Sequence, residues 1–241
     1  MTWTPDVSTN GTAHRVGAII VAAGSSTRMG GLDKIFHPVL GLPLVGYSLR
    51  VLQDSPEVDD IVLVVAPGSI ETAQRLVEAL DCTKVVAVCP GGDRRQDSVN
   101  NGLALLPGVE WVLVQDGARP CITQHMVRLS LETAAITGAA VAAVPVKDTI
   151  KVVDDDGGVV HTVPRDSLRA IQSPQTFTAD ILRRAHKEVD SSVTDDATLV
   201  ELLGYQVRSY PGSYANIKVT TPEDIALVET LLSSLRQEVK S

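Results

Sequence analysis

The stretch VGAIIVAAGSSTRMGGLDK, Val16 to Lys34, passes from an unbroken apolar run into a loop of small residues that carries two cations, Arg28 and Lys34. A strand buried on both faces of a parallel sheet reads as such a continuous run. The loop then lies at the carboxyl end of the first strand, where open α/β sheets bind ligands. Small residues let backbone N–H groups approach an anion closely. Arg28 adds a planar fork and Lys34 a point charge. Neither standard phosphate loop fits. Gly-x-Gly-x-x-Gly fails because Ser26 stands at its second glycine, and Gly-x-x-x-x-Gly-Lys-Ser/Thr fails because Met29 stands at its second glycine. What remains is an anion-binding loop of another kind, or a surface loop with two solvated cations.

Working outward, further short apolar runs predict strands at Ile61–Ala66, Lys84–Val88, Trp111–Gln115 and Ala139–Val146. Between them, helical spacing appears at Leu44–Leu52, at Ile70–Leu80 (Ala73, Leu76, Val77 and Leu80 on one face), at Val99, Leu103 and Leu106, and at Met126–Ile136. The alternation predicts right-handed βαβ units and a sheet covered on both faces. After Pro145 the rhythm breaks. TIKVV and GVVHTV flank DDDGG and predict a hairpin, either a projecting arm or an ordinary edge hairpin. Helices are expected near Ala179–Val189, after Thr194 (Thr194 as N-cap, Asp195 and Asp196 in the first turn) and from TTPED onward, where Thr221 caps and Pro222 takes N1. A strand is expected near Val207–Tyr210.

With 241 residues, 44% of them hydrophobic, the chain has material for one sizeable core. Its net charge of −8 and lack of a basic tract argue against nucleic acid as a partner. No apolar run reaches the roughly 20 residues of a membrane span. Cys82, Cys89 and Cys121 show no metal spacing and read as free thiols of a reducing compartment. The first fifteen residues are polar and aperiodic and lack a signal-peptide pattern, so a disordered tail on a cytoplasmic protein is expected. Residues 16–236 then form a single domain, with the hairpin at about 146–168.

Other segments carry chemistry-bearing residues. In GGDRRQDSV, Asp93 and Gln96 have capping-box spacing, while Gly91 and Gly92 permit close approach to a planar ligand and Ser98 falls in the first helical turn. In VQDGARP, Asp116 stands just past a buried strand, placed for a metal ion or a substrate hydroxyl, and Arg119 either pairs with it or binds a second phosphate. NIKVTTPED sets Lys218 between apolar neighbours on an expected strand. The five histidines are scattered and read as structural or surface residues, and Asp154–Asp156 as a solvated turn.

Taken in order, AAGSSTRM with Lys34, GGDRRQDSV, DGARP, PVKDTIK, VPR, SPQTF, TDDA and NIKVTTPED resemble the 2-C-methyl-D-erythritol 4-phosphate cytidylyltransferase family over nearly the whole chain. The resemblance implies a Rossmann-like α/β nucleotidyltransferase fold with a mostly parallel sheet. It implies a homodimer in which each hairpin arm reaches the other subunit. It implies Mg²⁺-dependent transfer of a cytidylyl group from CTP to methylerythritol phosphate, the acceptor phosphate attacking directly. By motif, Arg28 and Lys34 would stabilise charge at the reacting phosphorus. Ala22, Ala23, Gly24, Gly92, Asp93 and Ser98 would hold CTP. Asp116, Arg119, Thr149, Arg165 and Lys218 would bind the acceptor, Thr149 and Arg165 coming from the partner's arm. The Mg²⁺ would sit mostly on the triphosphate, with Asp116 as its direct protein ligand. Ribitol-5-phosphate cytidylyltransferase is a sister reading that differs around the acceptor. A dinucleotide-binding oxidoreductase and a non-catalytic nucleotide-binding protein are the readings from other classes.

Overall fold

The first apolar run forms β1 (Val16–Ala22) in a computed structural model that describes residues 14–24 and 34–238. Two short strands, β2 (Pro38–Val39) and β3 (Leu42–Pro43), lead into α1 (Leu44–Asp54). There follow β4 (Asp60–Val65), α2 (Ile70–Ala79), β5 (Val85–Pro90), α3 (Arg95–Ala104), β6 (Trp111–Asp116), α4 (Gln124–Thr137) and β7 (Ala139–Pro145). The hairpin strands are β8 (Ile150–Val153) and β9 (Val159–Val163). The chain ends with β10 (Arg169–Thr178), α5 (Ala179–Glu188), α6 (Asp196–Leu202), β11 (Arg208–Pro211) and α7 (Glu223–Glu238).

Seven strands make the main sheet in the order β11-β7-β10-β6-β1-β4-β5. The pairs β1–β4, β1–β6, β4–β5 and β7–β11 are parallel; β10 runs antiparallel to both β6 and β7. Pleating sends alternate residues of β1 to opposite faces. Ala18, Ile20 and Ala22 join one core with Leu49 and Leu52 of α1, Leu76 of α2 and Leu131 of α4. Ile19 joins the other with Val99 and Leu103 of α3, Leu182 of α5 and Leu199 of α6. The residues that read as a simple apolar run therefore serve two cores at once. Cys82, Cys89 and Cys121 are free and buried in this interior, and burial pushes the Cys121 thiol up to about 12.

The strand β10 departs from the sequence expectation, which places no strand there and takes SPQTF only as a motif. Gln172, Ser173, Gln175 and Thr176 are buried in it, so no apolar run marks it, and a proline ordinarily argues against an interior strand. Each polar side chain has a partner. Gln172 donates to the Ser213 carbonyl, Gln175 to Asp195, and Thr176 to Ser130, while Ser173 Oγ accepts from the Asp116 N–H at 3.0 Å. The register against β7 shifts between Gln172 and Gln175, around the cis Ser173–Pro174 peptide.

The hairpin is no edge of the main sheet: β8 and β9 form a two-stranded sheet of their own. Val152, Val153, Val159 and Val160 are 39–62% exposed on it. Its turn is organised by Asp154, whose carboxylate accepts from the N–H groups of Asp156 and Gly158, in keeping with the reading of a solvated turn. The expected disordered tail lies outside the described residues up to residue 13. Arg15, its last member, is ordered: its carbonyl accepts from the N–H groups of Glu110 and Trp111.

Candidate active site

The parallel register aligns strand ends along one edge of the sheet. Val21 pairs with Asp116, Ala22 with Val65, and Val65 with Pro90. The loops that follow β1, β5 and β6 therefore meet at the carboxyl edge, where such sheets bind ligands.

The turn after β6 is built by Gln115, which is fully buried at the end of an apolar strand. Its side-chain amide donates to the carbonyls of Asp116 (3.2 Å) and Arg119 (3.1 Å). The Arg119 N–H closes the turn on the Asp116 carbonyl at 3.0 Å, and Gly117 N–H donates to the Val21 carbonyl at 2.8 Å. A Cβ on Gly117 would stand 2.9 Å from that of Ala22, so glycine there lets the ends of β1 and β6 touch. The result holds the Asp116 carboxylate at the lip of the sheet.

The loop after β5 approaches the β1 loop just as closely. A Cβ on Gly91 would overlap that of Ala23 and lie 2.7 Å from Ser98 Oγ. Ser98 Oγ accepts from Gly92 N–H at 3.1 Å and donates to the Arg94 carbonyl at 3.2 Å, so its hydroxyl fixes the shape of this loop. The expected capping box is displaced by one residue. Helix α3 begins at Arg95, and Asp97, not Gln96, accepts from the Arg94 N–H at 3.0 Å. The reason is the paired side chains: the Arg94 guanidinium forks onto both oxygens of Asp97 at 3.0 and 2.8 Å. Asp93 is thereby left on the cleft side of the loop.

A cavity of about 560 Å³ lies between these loops, lined by Ala22, Ala23, Gly24, Lys34, Gly92, Asp93, Arg95, Ser98, Asp116 and Lys218 among others. All six residues expected to hold a nucleotide line it. A second cavity of about 190 Å³ adjoins it, lined by Arg119, Gln172, Ser173, Thr194 and Asp195 together with Arg95, Asp116 and Lys218. Those last three residues face both cavities and form the wall between them. Thr149 and Arg165 line neither cavity. They lie in the arm region, where Arg165 donates to the Lys147 carbonyl at 2.8 Å. Arg28 lies outside the described residues.

The wall is electrostatic. Lys218 Nζ stands 2.9 Å from Asp116 Oδ2, Arg119 Nε 3.6 Å from the same oxygen, and Arg95 3.4 Å from Oδ1. Burial alone would raise the Asp116 pKa; Arg95, Lys218 and Arg119 outweigh it and hold the carboxyl at about 2. Asp116 is therefore ionised throughout the working range of an enzyme. Arg119 is further fixed by donating to the carbonyl of Asn216 at 2.7 Å. Behind Arg95 stands Asp196, fully buried and 2.5 Å from its Nη1. Three cations thus meet two carboxylates in the wall, and Lys34 lines the nucleotide side.

Lys218 is not on a strand. It lies in an irregular segment after β11 that touches the Asp116–Arg119 turn through Val219 N–H to the Ala118 carbonyl, 2.9 Å; a single backbone bond makes no ladder. Helix α6 also starts one residue later than expected. Asp195 is its N-cap, accepting from Thr198 N–H at 3.1 Å, because Thr194 turns to the second cavity and Asp196 turns inward to Arg95. Sequence reasoning singled out neither Arg95 nor Gln115. One signal was available: a glutamine closing an apolar strand and an arginine opening a helix beside a glycine pair are both costly unless partnered.

The fit to a metal is limited. Among the described residues, no three His, Cys, Asp or Glu side chains group to hold an ion. Asp116 is a carboxylate on the cleft wall, and both its oxygens already face cations. Those cations compete with a metal ion for the carboxylate, so Mg²⁺ here would have to be carried chiefly by a phosphate chain, with Asp116 as at most a single protein contact.

The chain matches the family model described as 2-C-methyl-D-erythritol 4-phosphate cytidylyltransferase over residues 16–234. It is 49% identical over 223 residues to the enzyme of that name from Dehalococcoides mccartyi strain 195, covering 92% of this chain and 98% of the relative. The corresponding protein of Pelotomaculum thermopropionicum is 46% identical, with 91% and 95% covered. Among solved structures, 4-diphosphocytidyl-2C-methyl-D-erythritol synthase from Anaerococcus prevotii superposes with a TM-score of 0.81 at 30% identity, covering 91% of this chain and 96% of that one. The 2-C-methyl-D-erythritol 4-phosphate cytidylyltransferase of Thermus thermophilus gives 0.73 at 32% identity, with 90% and 98% covered.

Proposed function

The chain belongs to the 2-C-methyl-D-erythritol 4-phosphate cytidylyltransferase family, and on that premise we propose how its cleft carries out the transfer. The enzyme moves the cytidylyl group of CTP onto the phosphate of methylerythritol phosphate and releases pyrophosphate, a step of isoprenoid precursor synthesis. An acceptor phosphate oxygen forms the new bond to the α-phosphorus as the bond to pyrophosphate breaks. No side-chain nucleophile is required.

The observation that carries this reading is the shared wall of Arg95, Asp116 and Lys218 between two adjoining cavities. The larger cavity takes CTP against the backbone of Ala22, Ala23, Gly24, Gly92 and Asp93, with Ser98 setting the shape of the β5 loop. The smaller one takes the acceptor, with Arg119 and Lys218 neutralising its phosphate and Asp116 accepting from a hydroxyl. Lys34, with Arg28, stabilises the charge that builds on the transferring phosphorus and the leaving pyrophosphate. Fixed charges of this kind lower the barrier because they need no reorganisation as the reaction proceeds. Mg²⁺, held chiefly by the triphosphate and contacted by Asp116, supplies further charge neutralisation when bound.

The enzyme acts as a homodimer in which the β8–β9 arm of each subunit brings Thr149 and Arg165 to the acceptor cavity of the other. Exposed valines on both strands of the arm support this, since an apolar ribbon in water calls for a covering surface. With buried free thiols and no membrane-spanning helix among the described residues, the cytoplasm is its compartment.

The test is pyrophosphate release from CTP and Mg²⁺ with methylerythritol phosphate, ribitol 5-phosphate or no acceptor in parallel. Release is expected with methylerythritol phosphate. Release with ribitol 5-phosphate alone overturns the acceptor assignment.

A further inference from the structure

Behind the wall runs a second line of charge that the transfer reaction does not touch. Asp196, the first residue of α6, is 0% exposed. One of its oxygens lies 2.5 Å from Arg95 Nη1 and the other 3.1 Å from His186 Nε2 on α5. The His186 side chain is 3% exposed. The opposite edge of the Arg95 guanidinium, Nε and Nη2, faces Asp116 Oδ1 at 3.4 Å. The consecutive helices α5 and α6 thus hand a contact through the sequence-distant α3 to the cleft.

A buried ion pair is weak evidence for a stability role, because desolvation offsets most of its attraction. Its alternative value is orientation: a planar guanidinium gripped on one edge presents its other edge in a fixed direction. We infer that Asp196, braced by His186, is a positioning residue that acts through Arg95 to fix the Asp116 carboxylate in the wall between the two cavities. Burial alone would raise the Asp196 pKa, but Arg95 and His186 outweigh it and lower it, so the grip is maintained at neutral pH. Asp116 faces Arg95, Lys218 and Arg119 at once. Releasing the Arg95 side frees the carboxylate to swing toward Lys218 and Arg119 and to compete with the acceptor phosphate for them. This inference rests on the reading of Asp116 as an acceptor-side residue.

The experiment is steady-state kinetics on the full chain for Asp196→Asn, Asp116→Asn and the double variant, with circular dichroism and CTP affinity measured on each. Asp196→Asn is expected to lower kcat/KM for methylerythritol phosphate about 10- to 100-fold, mostly through the acceptor KM, while CTP affinity stays within about twofold. The double variant should be no worse than Asp116→Asn alone. A double variant that falls by the product of the two single losses overturns the inference, as does equal weakening toward CTP and acceptor. Should Asp196→Asn not fold, His186 gives the same test. His186→Gln keeps a donor to Asp196 and should retain most acceptor affinity, whereas His186→Leu should lose it; equal activity of the two sinks the proposal. The wild-type arm separates the two readings. Turnover of methylerythritol phosphate with an additive double variant discards only the positioning role, and absence of that turnover discards the acceptor assignment first.

Discussion

Lys34 donates a hydrogen bond of 3.0 Å to the carbonyl of Val219, the residue that follows Lys218, although 185 positions separate the two. The ammonium expected to act on the phosphorus and the one paired with Asp116 are therefore set from one short piece of backbone. Lys34→Ala is expected to lower kcat by roughly 10²- to 10³-fold, the usual cost of removing a preorganised charge from a transition state. Folding should be kept, since the lysine lies at the cleft surface. Turnover measured as pyrophosphate release checks this, and full activity in the variant removes Lys34 from the mechanism. Lys34→Arg should recover only part of the rate, because a fork does not reproduce a point charge.

Two glycines of the nucleotide cleft make opposite predictions. A Cβ at Gly91 would overlap Ala23 and crowd Ser98, whereas one at Gly24 would meet nothing within 4 Å among the described residues. Gly91→Ala should therefore part the β1 and β5 loops, with CTP affinity falling at least tenfold and thermal stability dropping. Gly24→Ala should match the wild type in melting temperature, and any loss should appear only in CTP binding. Calorimetric titration with CTP, beside thermal melts, separates the two. A Gly24→Ala protein that unfolds early would show that the residue is more crowded than its described neighbours make it.

The same contrast shows what the sequence made legible. β1, β4, β6 and β7 were readable because burial on both faces leaves an apolar run, and the small residues beside Lys34 were readable because close approach needs them. β10 was hidden: Gln172, Ser173, Gln175 and Thr176 are buried with partners that come from Ser213, Asp116, Asp195 and Ser130, far away in the chain. The wall was legible only in part. Asp116, Arg119 and Lys218 stood out by position, but Arg95 and Asp196 face each other across 101 residues, and no local pattern records such a pairing. The helix starts at Arg95 and Asp196 were each misplaced by one residue, since the cap that wins depends on tertiary partners of the neighbouring side chains.

Asp224 gives a pH-dependent prediction away from the chemistry. Its Oδ2 accepts from the N–H groups of Thr220 and Thr221 at 2.7 and 2.9 Å and from Thr220 Oγ1 at 3.0 Å. Partial burial opposes ionisation, but these bonds outweigh it and lower the Asp224 pKa. A carboxyl whose folded pKa is depressed contributes stability above its unfolded value, and that contribution is lost as pH falls. Asp224→Ala should cost about 1 kcal/mol at pH 7, a typical cap, and less near pH 3, below the unfolded carboxyl's ordinary value. α7 packs Val228 and Leu232 beside Val219, so a modest rise in acceptor KM should accompany the loss. Equal destabilisation at both pH values would show that the carboxylate charge is not what holds this turn.

The arm offers the sharpest test of assembly. Arg165 is tied to the arm's own base through the Lys147 carbonyl and lines neither cavity of its chain, while Lys218 lines both. If each site combines the Lys218 of one subunit with the Arg165 of the other, Arg165→Ala and Lys218→Ala homodimers each have two damaged sites. A mixed dimer has one site with both changes and one with neither. Co-refolding the two variants in equal amounts should then restore about a quarter of the wild-type sites, given random pairing in a closed two-fold dimer. Pyrophosphate release before and after mixing measures the recovery. A mixture no more active than its parents would place the Arg165 of each chain at its own site, or outside the reaction altogether.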